Sequence, residues 1–273
     1  MLAKVALCIG INDYPGTDSD LNGCVNDASD WGQLFEARGF SVRQLLNSAA
    51  TGNAMRSEIA RAIDSVSPGG TVVIQYSGHG SYVPDDNGDA DESDGTDECF
   101  CPHDLLENGP IRDDELDEIF SRRTDGVRVV LVADSCHSGT VARFAPITTP
   151  PTTAGITSPA RKVRFLPPAT FLSSADVSKL GIATRRAASA PGRYHSLLLA
   201  GCRDVEYSYD AWFEGRPNGA FTFVALRDLR TNPNLQNYQE WYALLRKSLP
   251  SQQYPQAPQL YGTRTMKHWP IFS

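Results

Sequence analysis

Two short segments of the sequence carry the residue types of a nucleophilic active site. One apolar run leads into His79, which lies between Gly78 and Gly80, and a second apolar run leads into Cys136. A thiolate can attack a carbonyl carbon, and an imidazole can protonate the amine that leaves. We therefore interpret Cys136 as a nucleophile and His79 as its general acid and base.

The residues around this pair favour the same chemistry. Glycines beside His79 let a substrate backbone approach closely, and the backbone N–H groups of Gly80 and Cys136 are candidate donors to an oxyanion. His137 adjoins the nucleophile, but adjacent residues of a strand point to opposite faces, which favours His79 as the base. A lone cysteine is usually a small buried hydrophobe, so it is the pairing at two strand ends that indicates catalysis.

A catalytic pair of this kind needs a sheet that brings two strand ends together. Four apolar runs are rich in β-branched residues: Lys4–Ile11, Thr71–Tyr76, Val127–Ala133 and Ser196–Ala200. Runs that are apolar on both faces are typical of a mostly parallel sheet that is covered on both sides. Because the carboxyl ends of parallel strands share one edge, His79 and Cys136 should meet there.

Helical patterns lie between and after these runs. Asn26–Arg38 and Thr51–Val66 carry apolar residues at helical spacing and are followed by glycine. A third helix is predicted to begin at Asp113, in a group of acids that favours a helix N-terminus, and two more cover Ala220–Leu229 and Tyr238–Leu249. The predicted fold class is α/β, with a central, mostly parallel β-sheet and helices on both faces.

The charge of the chain is unevenly distributed. Its 273 residues include 25 Lys and Arg and 32 Asp and Glu, for a formal net charge of −7. Eight of the acids lie in residues 85–98, and the rest of the chain has one more base than acid. An acidic chain lacks the basic face that meets phosphates, so no nucleic acid and no membrane surface is expected among its partners.

The sequence also indicates a compartment. No stretch approaches the roughly 18 apolar residues that cross a bilayer, and the first apolar run has no cleavage site of the signal-peptide type. Six cysteines are far fewer than a disulfide scaffold of this length would have. We expect a cytoplasmic protein with reduced thiols; its oligomeric state is left open, with a monomer favoured.

A basic, proline-rich segment interrupts the pattern. Seven of the 18 prolines fall between Ala145 and Gly192, and residues 141–200 contain eight Lys and Arg but one acid. This composition predicts accessible, extended or mobile backbone, with Ala169–Ala175 as a candidate strand. We interpret residues 1–273 as one domain with a larger part (1–144), an insert (145–193) and a smaller part (194–273).

The two catalytic segments resemble the paired signatures of metacaspases and their prokaryotic relatives, within the caspase-like cysteine peptidases. The signatures are Tyr76–Gly80 and Asp134–Gly139. Further matching segments follow in chain order outside the insert: Gly23–Asp27, Asp94–Glu98, Asp113-Asp114, Ala200–Asp204, Gly219–Phe221 and Gln256–Leu260. The resemblance implies a caspase-like fold and a cysteine endopeptidase whose dyad is His79 and Cys136.

The resemblance also implies a pocket that takes Arg or Lys before the scissile bond. The matching acids are Asp27 and Asp134, and we assign Cys24 to the same pocket. Two buried carboxylates are costly unless a cation neutralises them, which a guanidinium can do with paired hydrogen bonds. Asp27 also suits the first turn of its helix for structural reasons alone.

Two alternatives stay open. A pocket for Asp would need clustered arginines, and Arg38 and Arg203 are available. A catalytically silent caspase-like regulator is the other alternative, although it would be expected to lack His79 or Cys136.

Calcium is the one cofactor that the resemblance suggests, as an activator rather than a participant in the chemistry. Calcium-dependent metacaspases use acids matching Asp97, Asp113 and Asp114, with another acid shortly after the nucleophile; here the next acid is Asp176. The acidic loop does not match the EF-hand pattern. The cysteines at 99 and 101 are spaced too closely for a typical zinc site.

The acidic pocket and the basic insert suggest self-cleavage. Candidate sites are Arg161, Lys162, Arg164, Lys179, Arg185, Arg186 and Arg193. We hypothesise that the protein cuts itself within the insert, leaving two parts that stay associated through the sheet.

Overall fold

The computed structural model describes residues 3–85, 96–136, 161–180, 195–203 and 206–273. The described strands are β1 (Lys4–Gly10), β2 (Ser41–Leu46), β3 (Thr71–Ser77), β4 (Gly80–Pro84), β5 (Thr96–Phe100), β6 (Ile111–Arg112), β7 (Arg128–Asp134), β8 (Lys162–Val163), β9 (Leu197–Ala200), β10 (Tyr209–Phe213), β11 (Arg216–Gly219) and β12 (Gln259–Tyr261). The described α-helices are α1 (Cys24–Ala37), α2 (Gly52–Asp64), α3 (Leu105–Asn108), α4 (Asp113–Ser121), α5 (Ser174–Leu180), α6 (Ala220–Thr231), α7 (Tyr238–Ser248) and α8 (Arg264–Lys267).

A six-stranded sheet of described strands forms the centre, in the order β12-β9-β7-β3-β1-β2. All neighbours pair in parallel except β12, which runs antiparallel to β9 at one edge. Two small sheets flank it, with the orders β4-β5-β6 and β11-β10-β8. The predicted mostly parallel central sheet is confirmed.

Alternating side chains of the central strands build two hydrophobic cores. In β1, Leu7 and Ile9 pack with α2 and α4, whereas Ala6 and Cys8 pack on the opposite face with α1, α6 and α7. Every residue of β3 is buried, as a strand that is covered on both faces requires. The predicted helices on both faces are thus confirmed. No helix in the described part of the chain is long and apolar enough to cross a membrane.

The described part of the basic insert differs from the prediction. Ala169–Ala175 is not a strand: a 3₁₀ turn covers Pro168–Thr170 and α5 follows. Proline lacks an N–H and suits the first turn of a helix, and the Ser173 hydroxyl accepts the Asp176 N–H at 3.2 Å at the start of α5. Residues 168–180 therefore form local helical structure where accessible, extended or mobile chain was expected.

The strand register positions the two catalytic candidates. Ser77 at the end of β3 pairs with Asp134 at the end of β7. His79 and Cys136 each lie two residues beyond this pair, so both reach the same edge of the sheet. A Cβ atom at position 80 would lie 1.9 Å from the Cys136 carbonyl oxygen, which explains why glycine occupies it.

Candidate active site

Cys136 follows β7 and is fully buried. Its sulfur accepts a hydrogen bond from the Ser208 N–H, from the loop that precedes β10. The thiol therefore lies between the end of the central sheet and the strand β10 of the smaller part of the chain.

His79 is held by two groups from the loop after β1. Its backbone N–H donates to the Tyr14 hydroxyl at 2.7 Å, and the two rings lie 4.6 Å apart. The imidazole Nε2 is 2.5 Å from the Ser19 carbonyl oxygen, which can only accept, so Nε2 carries the hydrogen of the neutral ring. Nδ1 is buried and has no hydrogen-bond partner among the described residues. It thus holds the lone pair that a general base uses.

Burial lowers the pKa of His79 to about 4, and the charge of Arg164 acts in the same direction. The imidazole is therefore neutral near pH 7, the form that can accept a proton.

The carbonyl oxygen of Arg164 contacts both candidate oxyanion donors. It accepts the N–H of Gly80 at 3.1 Å and the N–H of Cys136 at 3.2 Å. These are the two donors named from the sequence, and the structure directs both to one oxygen.

The side chain of Arg164 fills a fully buried acidic pocket. Its guanidinium nitrogens lie 2.6 Å from Asp27, 3.2 Å from Asp134 and 3.1 Å from Asp210. Charge-assisted hydrogen bonds of this kind are shorter and stronger than neutral ones. The structure thus brings Asp27 and Asp134 together, as expected for one pocket, and adds a third acid.

Asp210 was missed by sequence reasoning. It lies on β10, far along the chain from Asp27, and no spacing or motif connects the two positions. The N–H groups of Asn22 and Gly23 donate to Asp210 at 2.8 and 2.9 Å, which holds its carboxylate beside the start of α1.

The other two carboxylates are also fixed from outside the pocket. Asp27 accepts the Asn218 side-chain amide at 2.9 Å and the Gly219 N–H at 3.0 Å. Asp134 accepts the N–H and the hydroxyl of Thr222 at 3.0 and 2.7 Å. The acids therefore keep their positions through backbone and polar contacts, and do not depend on the guanidinium for orientation.

Burial raises the pKa of Asp27 to about 7, while Arg164 opposes the rise and Asp134 adds to it. Cys24, the first residue of α1, is fully buried beside these charges, and burial raises the pKa of its thiol. Cys24 is therefore a neutral group at the pocket and not a second nucleophile.

The backbone on both sides of Arg164 is paired like a bound peptide. The Arg164 N–H donates to the Ser208 carbonyl at 2.9 Å, and β8 pairs antiparallel with β10. After Arg164, Phe165 forms a parallel bridge with Gly80. The segment therefore crosses the candidate catalytic residues in extended form.

The expectation that the basic residues of the insert are accessible is wrong for Arg164, because three carboxylates hold its side chain in the interior. Arg161 is partly exposed, and Lys162 and Lys179 are exposed. Of the catalytic and self-cleavage candidates, His137, Arg185, Arg186 and Arg193 lie outside the described residues, and so do residues 86–95 of the acidic loop.

The family model for the caspase domain matches residues 3–268. The chain belongs to the caspase-domain family. Its relatives include metacaspase-7 of Arabidopsis thaliana, 37% identical over 50% of this chain, and metacaspase-1 of Mycosarcoma maydis, 30% identical over 94% of it. The predicted resemblance to metacaspases is confirmed.

A solved structure, protein GSU0716 from Geobacter sulfurreducens, superposes on this caspase domain with a TM-score of 0.73 at 26% identity. The match covers 99% of this chain and 98% of that one. The chain spans 35% of the length of the plant relative and 69% of the fungal one.

The acids proposed for calcium lie where β5, β6 and α4 meet. Burial raises the pKa of Asp113 to about 7, and the charges of Asp114 and Asp97 add to the rise. Asp97 is already ion-paired with Arg112 at 3.2 Å. In the parts of the chain that the structure describes, no group of three or more His, Cys, Asp or Glu side chains could hold a metal ion.

The buried His79 predicts an acid-sensitive free energy of unfolding. A histidine whose folded pKa is about 4 and whose unfolded pKa is about 6.5 stabilises the fold above pH 6.5, and this contribution is lost as the pH falls to 4. Between pH 7 and pH 4, we expect the free energy of unfolding of Cys136→Ala to fall by about 3 kcal/mol more than that of Cys136→Ala/His79→Gln.

Denaturant unfolding at several pH values measures this difference. Asp27, whose raised pKa acts in the opposite direction, is present in both proteins and cancels. Parallel pH profiles for the two proteins would contradict the assignment of a buried, neutral His79.

Proposed function

We propose that this caspase domain is a cysteine endopeptidase that cleaves peptide bonds after Arg or Lys, with Cys136 as nucleophile and His79 as general acid and base. One observation carries the proposal. An arginine of the chain itself, Arg164, has its side chain among three buried carboxylates and its carbonyl oxygen on the N–H groups of Gly80 and Cys136. This is the arrangement required of the residue that precedes a scissile bond.

The proposed chemistry is a hydrolysis in two steps. His79 Nδ1 takes the thiol proton, and the sulfur of Cys136 attacks the carbonyl carbon, whose oxygen becomes negative between the two N–H donors. The C–N bond breaks, and His79 returns the proton to the leaving amine. Water then attacks the thioester, with His79 accepting its proton, and the acid product and the thiol are released.

The charges around the pocket favour a basic residue over Asp. All three side chains that pair with Arg164 are carboxylates. The two arginines considered for an Asp pocket have other partners: Arg38 lies over the Phe272 ring at 5.6 Å, and Arg203 pairs with Glu206 at 3.7 Å. A catalytically silent regulator is also disfavoured, because the imidazole and thiol are both present and positioned at one sheet edge.

Turnover of fluorogenic peptides tests the activity and its specificity. We expect cleavage of reporters with Arg or Lys before the dye, no cleavage with Asp there, and no turnover by Cys136→Ala. Asp210→Asn should raise KM for the Arg reporter at least about tenfold, because it removes one of the charges that face the guanidinium. Asp125→Asn, at an exposed position, is the matched control. Preference for the Asp reporter would overturn the pocket assignment.

Self-processing forms the second part of the proposal, and the bond that we assign is Arg164–Phe165. Of the seven candidates, Arg164 is the one whose carbonyl contacts the candidate oxyanion donors in the described structure. A bond already held in the site should be cut within the molecule, so its rate constant should be independent of protein concentration.

Denaturing gels and N-terminal sequencing check this assignment. The wild-type chain should yield fragments 1–164 and 165–273, the second beginning at Phe165, while Cys136→Ala should stay intact. Arg164→Gln should abolish this cut and Arg164→Lys should retain it, because only lysine keeps the charge. Lys179→Gln is the control on α5. A wild-type chain that stays one band while it turns over the Arg reporter would contradict self-processing.

Calcium activation is a third, separate part of the proposal. It is supported by the charges of Asp114 and Asp97, which add to the rise that burial causes in the pKa of Asp113, since a divalent cation would offset their repulsion. We expect reporter turnover to fall in chelator and to return with calcium, and Asp113→Asn to weaken the response. Glu118→Gln, exposed on the same helix, should leave the response intact. Equal turnover in chelator and in calcium would remove calcium from the proposal.

A cytoplasmic location is supported by the thiols. All six cysteines lie within the described residues, and each is free and buried. Reduced thiols of this kind suit a compartment in which disulfides do not persist.

A further inference from the structure

The side chain of the residue after Arg164 contacts two aromatic rings. The Phe165 ring is 6.1 Å from that of Tyr82 on β4, at an interplanar angle of 18°, and 6.1 Å from that of Tyr207, at 47°. Tyr82 belongs to the strand that follows His79, and Tyr207 directly precedes Ser208. Together they form a clamp, the Tyr82–Tyr207 pair, that fits a flat side chain.

The next residue, Leu166, is fully buried and packs with the core that α2 and α4 cover. Its backbone is also bound: the N–H donates to the Gly80 carbonyl at 3.0 Å, and the carbonyl accepts the Ser81 hydroxyl at 2.6 Å. Ser81 is itself fully buried, so its hydroxyl donates to this peptide carbonyl in the interior of the protein. The site therefore includes a closed apolar position with a polar group at its backbone.

Gly80 fixes the register of these two positions. Its N–H binds the carbonyl of Arg164, and its carbonyl binds the N–H of Leu166. Gly80 thus forms backbone hydrogen bonds on both sides of the Arg164–Phe165 bond. With Arg164 as the residue before the cut, Phe165 occupies the first position after the cut and Leu166 the second.

We propose that the enzyme selects its substrates on the leaving side of the scissile bond as well, taking an aromatic residue first and leucine second. This inference rests on the proposed function and extends it. The Tyr82–Tyr207 pair gains ring contacts from an aromatic side chain that a small one cannot supply. The position of Leu166 would bury a carboxylate among apolar groups, so an acid there is rejected.

Quenched fluorescent peptides that span the cut measure this selection. The parent peptide is Ala-Ala-Val-Arg-Phe-Leu-Pro-Pro, which copies residues 163–168 after two alanines. Replacing its Phe with Ala should lower kcat/KM about tenfold. Replacing its Leu with Asp, in a separate peptide, should lower kcat/KM by a larger factor. The enzyme is the full chain, incubated until any self-processing is complete, and an Arg reporter that has only a dye after the cut is measured in parallel.

Variants of the clamp connect the preference to the rings. Tyr207→Ala and Tyr82→Ala should reduce the ratio of the Phe to the Ala peptide to less than about twofold. Tyr207→Phe and Tyr82→Phe keep the rings and should keep the ratio, which separates a lost contact from a damaged fold.

The outcomes are distinct. Turnover of the Arg reporter together with equal rates for the Phe, Ala and Asp peptides would overturn the leaving-side selection alone, and would mean that residues 165–166 belong permanently to the core. A preference that persists in both alanine variants would overturn the role of the clamp. No turnover of the reporter or of any peptide would refute the proposed function, and the selection would fall with it.

Discussion

The contact between one buried guanidinium and three buried carboxylates holds the site together. Arg164 precedes the bond to Phe165, and its partners come from α1, β7 and β10. Of these elements, α1 and β7 belong to the larger part of the chain, and β10 belongs to the smaller part. The cluster therefore connects regions that are distant in sequence, and its position fixes where the Arg164 carbonyl lies relative to Cys136 and His79.

The charge balance of this cluster favours a cation among its carboxylates. Each carboxylate is oriented by neighbours other than the guanidinium, such as Thr222 for Asp134 and Gly219 for Asp27. Orientation thus persists without Arg164, but three like charges in the interior are unfavourable unless a cation lies among them. Burial already raises the pKa of Asp27 to about 7, which reflects this cost. A basic side chain relieves it, and an acidic one would add to it.

Backbone geometry supplies the other half of the site. The pairing of Ser77 with Asp134 brings the loops that carry His79 and Cys136 to one edge. Gly80 then approaches the Cys136 carbonyl so closely that a Cβ atom would overlap it. The same glycine binds the backbone before and after the Arg164–Phe165 bond. One close approach of two chain segments therefore places Cys136 and the backbone of residues 164–166 side by side.

The sequence by itself determined the elements whose patterns are local. Apolar runs on both faces predicted β1, β3, β7 and β9, and helical spacing predicted α1 and α2, because burial imposes these periods along the chain. The strand β2 was not predicted from the sequence, because it is an edge strand with exposed polar residues. The glycines around His79 and the cysteine after a buried strand were enough to name both catalytic candidates.

Only the tertiary structure decided which distant residues meet. Asp210 joins Asp27 because β10 packs beside the start of α1, and no local pattern encodes that contact. Arg164 looked like one of seven exposed basic residues in a proline-rich segment, yet its side chain is buried among three carboxylates. Local composition predicts that a basic residue in a polar, proline-rich segment is exposed to solvent. A charged side chain is buried only where the fold brings partners for it from elsewhere in the chain.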